Sequence, residues 1–453
     1  MTVISEFIGK SARENVQSAI LKARESEDFN AILSYSEERA LERADKVDSG
    51  EITGRLAGVP FIAKDNFLTL GAPTTASSNF LKDFQAPLQA TAIEKLEAEG
   101  AICIAKANLD AFAHGGSTEN SAYGPTKNAY NKEHVAGGSS GGSAVVVALG
   151  IVPFALGTDT GGSIRQPASF NNVVGIKPTY GTVSRYGVVA MASSTDTIGV
   201  LTSSVEDAET VMGILSGKDT KDMTTLPDFF TPQTLDSPKK IGLIKEFMDE
   251  GVDPEVKAAT ERYVEVLKQK GHVVEEVSMS LLKYALAIYY IVVPAEISSN
   301  LGRYDGIRYG NRAEASSLGE VYGLSRDHGF MPENKRRIMI GSYVLSSGFF
   351  DAYYLQAQKA RTLLVNEFNA LFENYDALIG PVAPTPAFKL GENTSDPVKM
   401  YLADIMTVPA SLAGLPAISV PAGLSEAGLP IGVQLIGARK SDSLLMAIAK
   451  EVQ

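Results

Sequence analysis

The chain has 453 residues, is 44% apolar and 21% charged, and carries a formal net charge of −12 with a single cysteine. That acidic balance excludes it as the main grip on a nucleic acid, because neutralising phosphates needs a basic face. One cysteine excludes an intramolecular disulfide and any multi-cysteine metal site, and no metal ligand set is expected.

The first residues, Met1-Thr2-Val3-Ile4-Ser5-Glu6, lack the basic-then-apolar order of a secretory signal, and no apolar run approaches the roughly 18–20 residues that span a bilayer. A cytoplasmic protein with no membrane partner is expected. Residues 12–44 read as two helical stretches with apolar residues at three-to-four spacing. A short strand over 58–63 delivers Lys64. A helix over 91–99, with Gly100 at its end, leads into an apolar strand over 101–105 that holds Cys103 as a packed thiol.

Residues 143–149 are apolar on all sides and read as a buried helix that starts from Gly137-Gly138-Ser139-Ser140-Gly141-Gly142. A strand over 151–156 runs into a second cluster, Gly157-Thr158-Asp159-Thr160-Gly161-Gly162-Ser163-Ile164-Arg165. Residues 216–237 form an irregular excursion. A strand over 240–244, a helix begun by Asp253-Pro254-Glu255 and a strand over 272–277 follow. Helix and strand alternating in this way predict an α/β sheet covered on both faces, in one large domain over 1–453.

Two glycine-serine clusters and an upstream Lys64 supply hydroxyl nucleophiles and a base that is not histidine. Gly137-Gly138-Ser139-Ser140-Gly141 satisfies the G-x-S-x-G pattern of a nucleophile elbow. That reading needs a later histidine, and only His272, within a strand, and His328, in a polar stretch, lie downstream. A phosphate-binding loop is also disfavoured, because Ser143 is followed by Ala144-Val145 and the P-loop lysine is missing. A lysine base remains. It works only as a neutral amine, so its pKa must fall from about 10.4 to roughly 7 or 8, a disfavour of about 4 kcal/mol that burial can supply. Asp65-Asn66 either orient that lysine or form the turn. The backbone N–H groups of Thr160, Gly161, Gly162 and Ser163 offer a place for the negative charge of an acyl-transfer intermediate.

These segments, with Gly175-Ile176-Lys177-Pro178, resemble the amidase signature family over nearly the whole chain. The resemblance implies an α/β/α fold with a large mixed sheet sandwiched between helices. The N-terminal helices would cover about 1–50 and the signature core about 51–215. A C-terminal part over about 238–453 would complete the substrate pocket. It also implies a Ser-Ser-Lys triad, with Ser163 the nucleophile, Lys64 the general base and Ser139 the bridge after a cis peptide bond. Ser140 would be a supporting hydrogen bonder.

Further segments, among them Lys335-Arg336-Arg337-Ile338-Met339, Ser346-Ser347-Gly348-Phe349-Phe350 and Tyr401-Leu402-Ala403-Asp404, are similar to the branch that serves tRNA-dependent amidotransferases. That likeness implies a glutaminase, with Arg337 on the substrate carboxylate, Asp404 on its ammonium and Tyr289 as a further polar contact. It implies no cofactor in this chain. ATP and magnesium would belong to a tRNA-binding partner, the B subunit of such an assembly, and a small C subunit would clamp the two together. The other readings are a free-standing amidase acting on another small or lipid-like amide, and a non-catalytic scaffold. One departure is Leu109-Asp110-Ala111-Phe112-Ala113-His114, where the branch usually has Met-Asp-Glu-Phe-Ala-Met. His114 is expected to be a packed core residue.

Overall fold

A computed structural model of the chain describes residues 2–249, 251–394 and 396–453. Eleven strands form one sheet: β1 (Ile32–Tyr35), β2 (Pro60–Lys64), β3 (Ile102–Ala107), β4 (Phe154–Asp159), β5 (Val174–Lys177), β6 (Thr197–Thr202), β7 (Lys240–Ile244), β8 (Val273–Val277), β9 (Ala377–Pro381), β10 (Ala417–Leu424) and β11 (Pro430–Gly437). Their spatial order is β1-β3-β2-β4-β6-β5-β10-β11-β9-β7-β8. Parallel pairs (β3/β2, β2/β4, β9/β7, β7/β8) occupy the two flanks, and an antiparallel run from β4 to β9 joins them.

The helices are α1 (Ala12–Glu25), α2 (Glu37–Asp48), α3 (Thr91–Ala98), α4 (Gly141–Ala148), α5 (Arg165–Phe170), α6 (Val205–Leu215) and α7 (Pro254–Gln269). Then come α8 (Leu282–Asn300), α9 (Leu318–Gly329), α10 (Pro332–Val344), α11 (Leu355–Phe372), α12 (Pro397–Leu402), α13 (Val408–Leu412) and α14 (Asp442–Lys450). The central strands β2, β3, β4 and β6 are buried along their whole length. Continuous apolar runs such as Phe61-Ile62-Ala63 and Ile102-Cys103-Ile104 are what a sheet covered on both faces requires.

The expected elements fall close to their places, with two differences. The edge strand β1 lies between the two N-terminal helices and pairs antiparallel with β3; four residues are too few to show a period. By composition α8, with the turn to Arg303, is long and apolar enough to cross a membrane. Here it is a core helix, burying Ile288, Tyr289, Val292, Val293 and Ile297 and packing against α10, α11 and α13. Cys103 is fully buried, and its burial pushes the thiol up to about 12.

Strands β3, β2 and β4 run parallel and end at the same edge. That edge carries Asp110 just beyond β3, Lys64 as the last residue of β2, and Thr158 and Asp159 at the end of β4. A crevice outside the carboxyl ends of parallel strands is where α/β sheets place their ligands.

Candidate active site

Lys64 is fully buried at the end of β2. Its Nζ lies 2.8 Å from Ser139 Oγ, 2.8 Å from Ser140 Oγ and 2.9 Å from Thr158 Oγ1. Every neighbour is a neutral oxygen, and no carboxylate pairs with the amine among the described residues. Burial therefore dominates and brings its pKa down to about 7, against the weaker opposing pull of Asp110, Asp159 and Asp196. The N-terminus of α4 begins beside it at Gly141, and the partial positive charge there also disfavours an ammonium.

Ser139 follows a cis peptide bond at Gly138-Ser139. Gly138 is required there: a Cβ would stand 2.2 Å from Asp110 Oδ2 and 2.6 Å from the Ser117 backbone nitrogen. Asp110 in turn accepts the Thr118 and Asn120 N–H groups at 2.9 and 3.0 Å. The Ser140 N–H reaches the Ser163 carbonyl at 3.1 Å, tying the two glycine-serine clusters together. Ser163 is 8% exposed, and its hydroxyl makes no hydrogen bond among the described residues. The structure thus brings Lys64, Ser139 and Ser140 into direct contact and holds Ser163 next to them through its backbone, with its Oγ unengaged.

The loop from Thr160 to Ser163 is gripped from several sides. Asp159 and the fully buried Arg165 form a two-pronged pair across its base, Nε–Oδ2 at 3.0 Å and a terminal nitrogen to Oδ1 at 3.1 Å. Arg165 also reaches Gln434, the Thr407 carbonyl and Ser411. Burial, the largest influence on Asp159, would raise its pKa; the Arg165 charge and hydrogen bond, the Lys177 charge and the Ile164 N–H together outweigh it and hold the carboxyl below its usual value. Thr407 Oγ1 donates to the Gly161 carbonyl at 2.6 Å, and the Thr160 hydroxyl donates to Asp196 at 2.8 Å. The backbone N–H groups of Gly161, Gly162 and Ser163 donate to nothing among the described residues. Such a row of fixed, unpaired donors beside a serine can receive a developing oxyanion.

Of the expected substrate residues, Tyr289 on α8 lies over this loop. A Cβ on Gly161 would stand 2.7 Å from its hydroxyl. Arg337 on α10 is buried, with Nε on Glu333 at 2.8 Å and its guanidinium over the Tyr290 and Tyr401 rings. Glu333 thus fixes one edge of the guanidinium, whose outer nitrogens make no hydrogen bond among the described residues. A cavity of about 260 Å³, lined by Asp110, Gly116, Ser117, Arg337 and Tyr401 among others, opens here. Asp404 makes no side-chain hydrogen bond among the described residues, and burial pushes its carboxyl up to about 8. Arg336 is half-exposed and paired with Glu333, a surface ion pair.

The segment around His114 meets its expectation of a packed core. The ring is fully buried, Nδ1 faces the Asn334 amide, and burial keeps it neutral well below its usual pKa. Neither histidine downstream serves a serine: His272 is engaged with Lys239 and Glu451, and His328 is exposed on α9. Among the described residues no cluster of histidine, cysteine and carboxylate side chains could hold a metal.

The structure also separates Asp65 from Asn66. Asp65 turns away to Lys106 at 2.9 Å, whereas Asn66 donates to Thr158 Oγ1 at 3.1 Å and so steadies a partner of Lys64. Thr158 and Asp159 join the site beyond the residues expected of it, although strand alternation contains the signal: on β4 they point to opposite faces, one to Lys64 and one to Arg165. Thr407 and Asp196 come from distant segments and have no local signal.

The amidase family model matches residues 14–446. This chain belongs to the amidase family. Among its amidase relatives, the A subunit of the glutamyl-tRNA(Gln) amidotransferase of Lachnospira eligens is 51% identical, over 94% of this chain and 91% of that one. The protein of the same name from Koribacter versatilis is 49% identical, over 100% and 98%. Among solved structures, the A subunit of the glutamyl-tRNA(Gln) amidotransferase of Thermotoga maritima superposes with a TM-score of 0.82 at 39% identity, covering 100% of this chain and 94% of that one. A bacterial aryl acylamidase of the amidase signature family superposes at 0.87 with 26% identity, covering 100% and 95%.

Proposed function

We propose that this chain is the glutamine-hydrolysing component of a tRNA-dependent amidotransferase, acting through Lys64, Ser139 and Ser163. The observation that carries the chemistry is a buried amine, poised near neutrality, in contact with a serine hydroxyl. The neutral Lys64 draws the proton from Ser139, which takes the proton of Ser163 as its Oγ attacks the side-chain amide of glutamine. In this mechanism the Ser163 hydroxyl, which makes no hydrogen bond among the described residues, donates to Ser139 once the amide is bound. The oxyanion forms against the N–H groups of Thr160, Gly161, Gly162 and Ser163. The C–N bond breaks as the proton returns through Ser139 to the departing nitrogen, and ammonia leaves. Water then cleaves the acyl-serine, releasing glutamate and restoring the hydroxyl. Ser140 and Thr158 keep the Lys64 amine aimed at Ser139.

Glutamine carries an α-carboxylate and an α-ammonium. Arg337, with its outer nitrogens free, suits the carboxylate, Asp404 suits the ammonium, and Tyr289 adds a contact above the loop. The relatives named as amidotransferase components support the destination of the ammonia, a tRNA-borne carboxylate. Activating that carboxylate, with ATP and magnesium, is assigned to the B subunit, which also holds the tRNA, and the C subunit clamps the assembly in the cytoplasm. The test is ammonia release from glutamine. Ser163→Ala should abolish it while leaving the fold and assembly intact, and undiminished release would remove Ser163 as the nucleophile.

A further inference from the structure

The loop that offers the oxyanion donors is anchored on its outer side by a carboxylate that takes no part in the chemistry above. Asp196, just before β6, accepts three hydrogen bonds. The Thr160 hydroxyl donates to Oδ1 at 2.8 Å, the Ala192 N–H to Oδ1 at 3.0 Å and the Met191 N–H to Oδ2 at 2.8 Å. No cation pairs with it among the described residues, since the neighbouring Arg185 is spent on Asp222, Nε to Oδ2 at 3.0 Å. Burial raises its pKa, so the fold keeps a costly group here.

The three donors explain why it is a carboxylate. A carboxylate presents only acceptors, whereas an amide of the same shape would turn an NH2 toward one of the three. The turn it gathers, Met191-Ala192, is itself fixed to α8: the Asn300 side chain donates to the Met191 carbonyl at 3.0 Å, and the Ser194 N–H to Glu296 at 2.8 Å. Helix α8 also carries Tyr289, which stands against Gly161 from within the site. Asp196 therefore ties the first residue of the oxyanion loop to the same helix that covers the loop.

We propose that Asp196 is a positioning residue for amide hydrolysis, acting through the Thr160 hydroxyl to set the height of the Gly161–Ser163 donors relative to Ser163 Oγ. It touches neither substrate nor the reacting atoms. Its effect falls on the transition state, in which the oxyanion exists, rather than on the bound amide, in which it does not.

The proposal rests on the amidase reading but not on glutamine as the substrate. Thr160→Val keeps the side-chain shape and deletes the donor; Thr160→Ser restores it. Steady-state kinetics would be measured on glutamine and on a simple aliphatic amide, alongside the melting temperature of each variant. Thr160→Val should lower kcat by about tenfold or more, as displaced catalytic groups do. KM should stay within about twofold, kcat should fall equally on both amides, and Thr160→Ser should recover most of the loss. Asp196→Ala, which removes the acceptor of the Thr160 hydroxyl, should reproduce the kcat loss in a folded protein. An unchanged kcat in Thr160→Val, a loss confined to KM, or failure of the serine to rescue would each overturn the proposal. If wild type hydrolyses the simple amide but not glutamine, the substrate assignment falls and the same comparison on the simple amide still decides this one.

Discussion

Lys64 shows how a residue's chemistry is set by what surrounds it. A lysine within reach of a carboxylate would stay charged; this one meets only hydroxyl and carbonyl oxygens. The fall from 10.5 to about 7 corresponds to about 5 kcal/mol against the ammonium. Because a base must be unprotonated, kcat/KM on a simple aliphatic amide, which has no ammonium for Asp404 to hold, should rise with pH through a midpoint near 7 and then level. Lys64→Arg should be inactive throughout, since a guanidinium does not lose its proton. A flat wild-type profile from roughly pH 5 to 9 would rule out the lysine base. The linkage has a definite sign. Between about 7 and 10.5 the unfolded chain binds more protons at this site than the folded one, so the Lys64 contribution to stability rises with pH across that window. Asp404 runs the other way. Its pKa rises from 3.8 to about 8 on folding, so its contribution falls as pH increases between those values.

At the scale of elements, the segment joining β4 to α5 does more than either element. It turns sharply at Gly162, whose φ is +146°, and Thr407 Oγ1 occupies the space 2.2 Å from where a Cβ would be. Gly162→Ala should therefore cost about 1–3 kcal/mol of stability from the backbone alone. Turnover should fall by about 100-fold as the donors shift; a thermal melt together with an ammonia assay checks both. Wild-type turnover in that variant would mean that the loop is not held as described. The glycine-serine pattern made this loop visible in the sequence, because few other duties call for serine between so many glycines. The grips on it were not visible. Thr407 and Asp196 are ordinary residues until the chain brings them within 2.6 and 2.8 Å of Gly161 and Thr160.

At the scale of the molecule, the sheet carries the three parallel strands of the candidate site, β3, β2 and β4, on one flank. From the C-terminal half, Tyr289 on α8 stands against Gly161, Thr407 against Gly162 and Asp404 against Gly116. The net charge of −12 suits a protein whose partner handles the RNA. Purified from its native host, the chain should be recovered with two further polypeptides, one larger and one small, and that assembly should bind tRNA where the chain alone does not. Recovery as a stable, tRNA-indifferent single chain with full amidase turnover would favour a free-standing amidase.

The chemistry we propose was legible in the chain alone, because the residues assigned as nucleophile, relay and base sit in short motifs whose residue types have few other uses. The sequence also determined the strands that place them, since fully buried strands need unbroken apolar runs. Which neighbours tune those groups follows from contacts made in the folded chain. That Lys64 has no counter-charge among the described residues, that Asp65 turns away while Asn66 stays, and that Asp196 and Thr407 brace one loop all depend on contacts between segments up to about 250 residues apart. A pKa and a donor position follow from the whole local environment, and no window of sequence contains it.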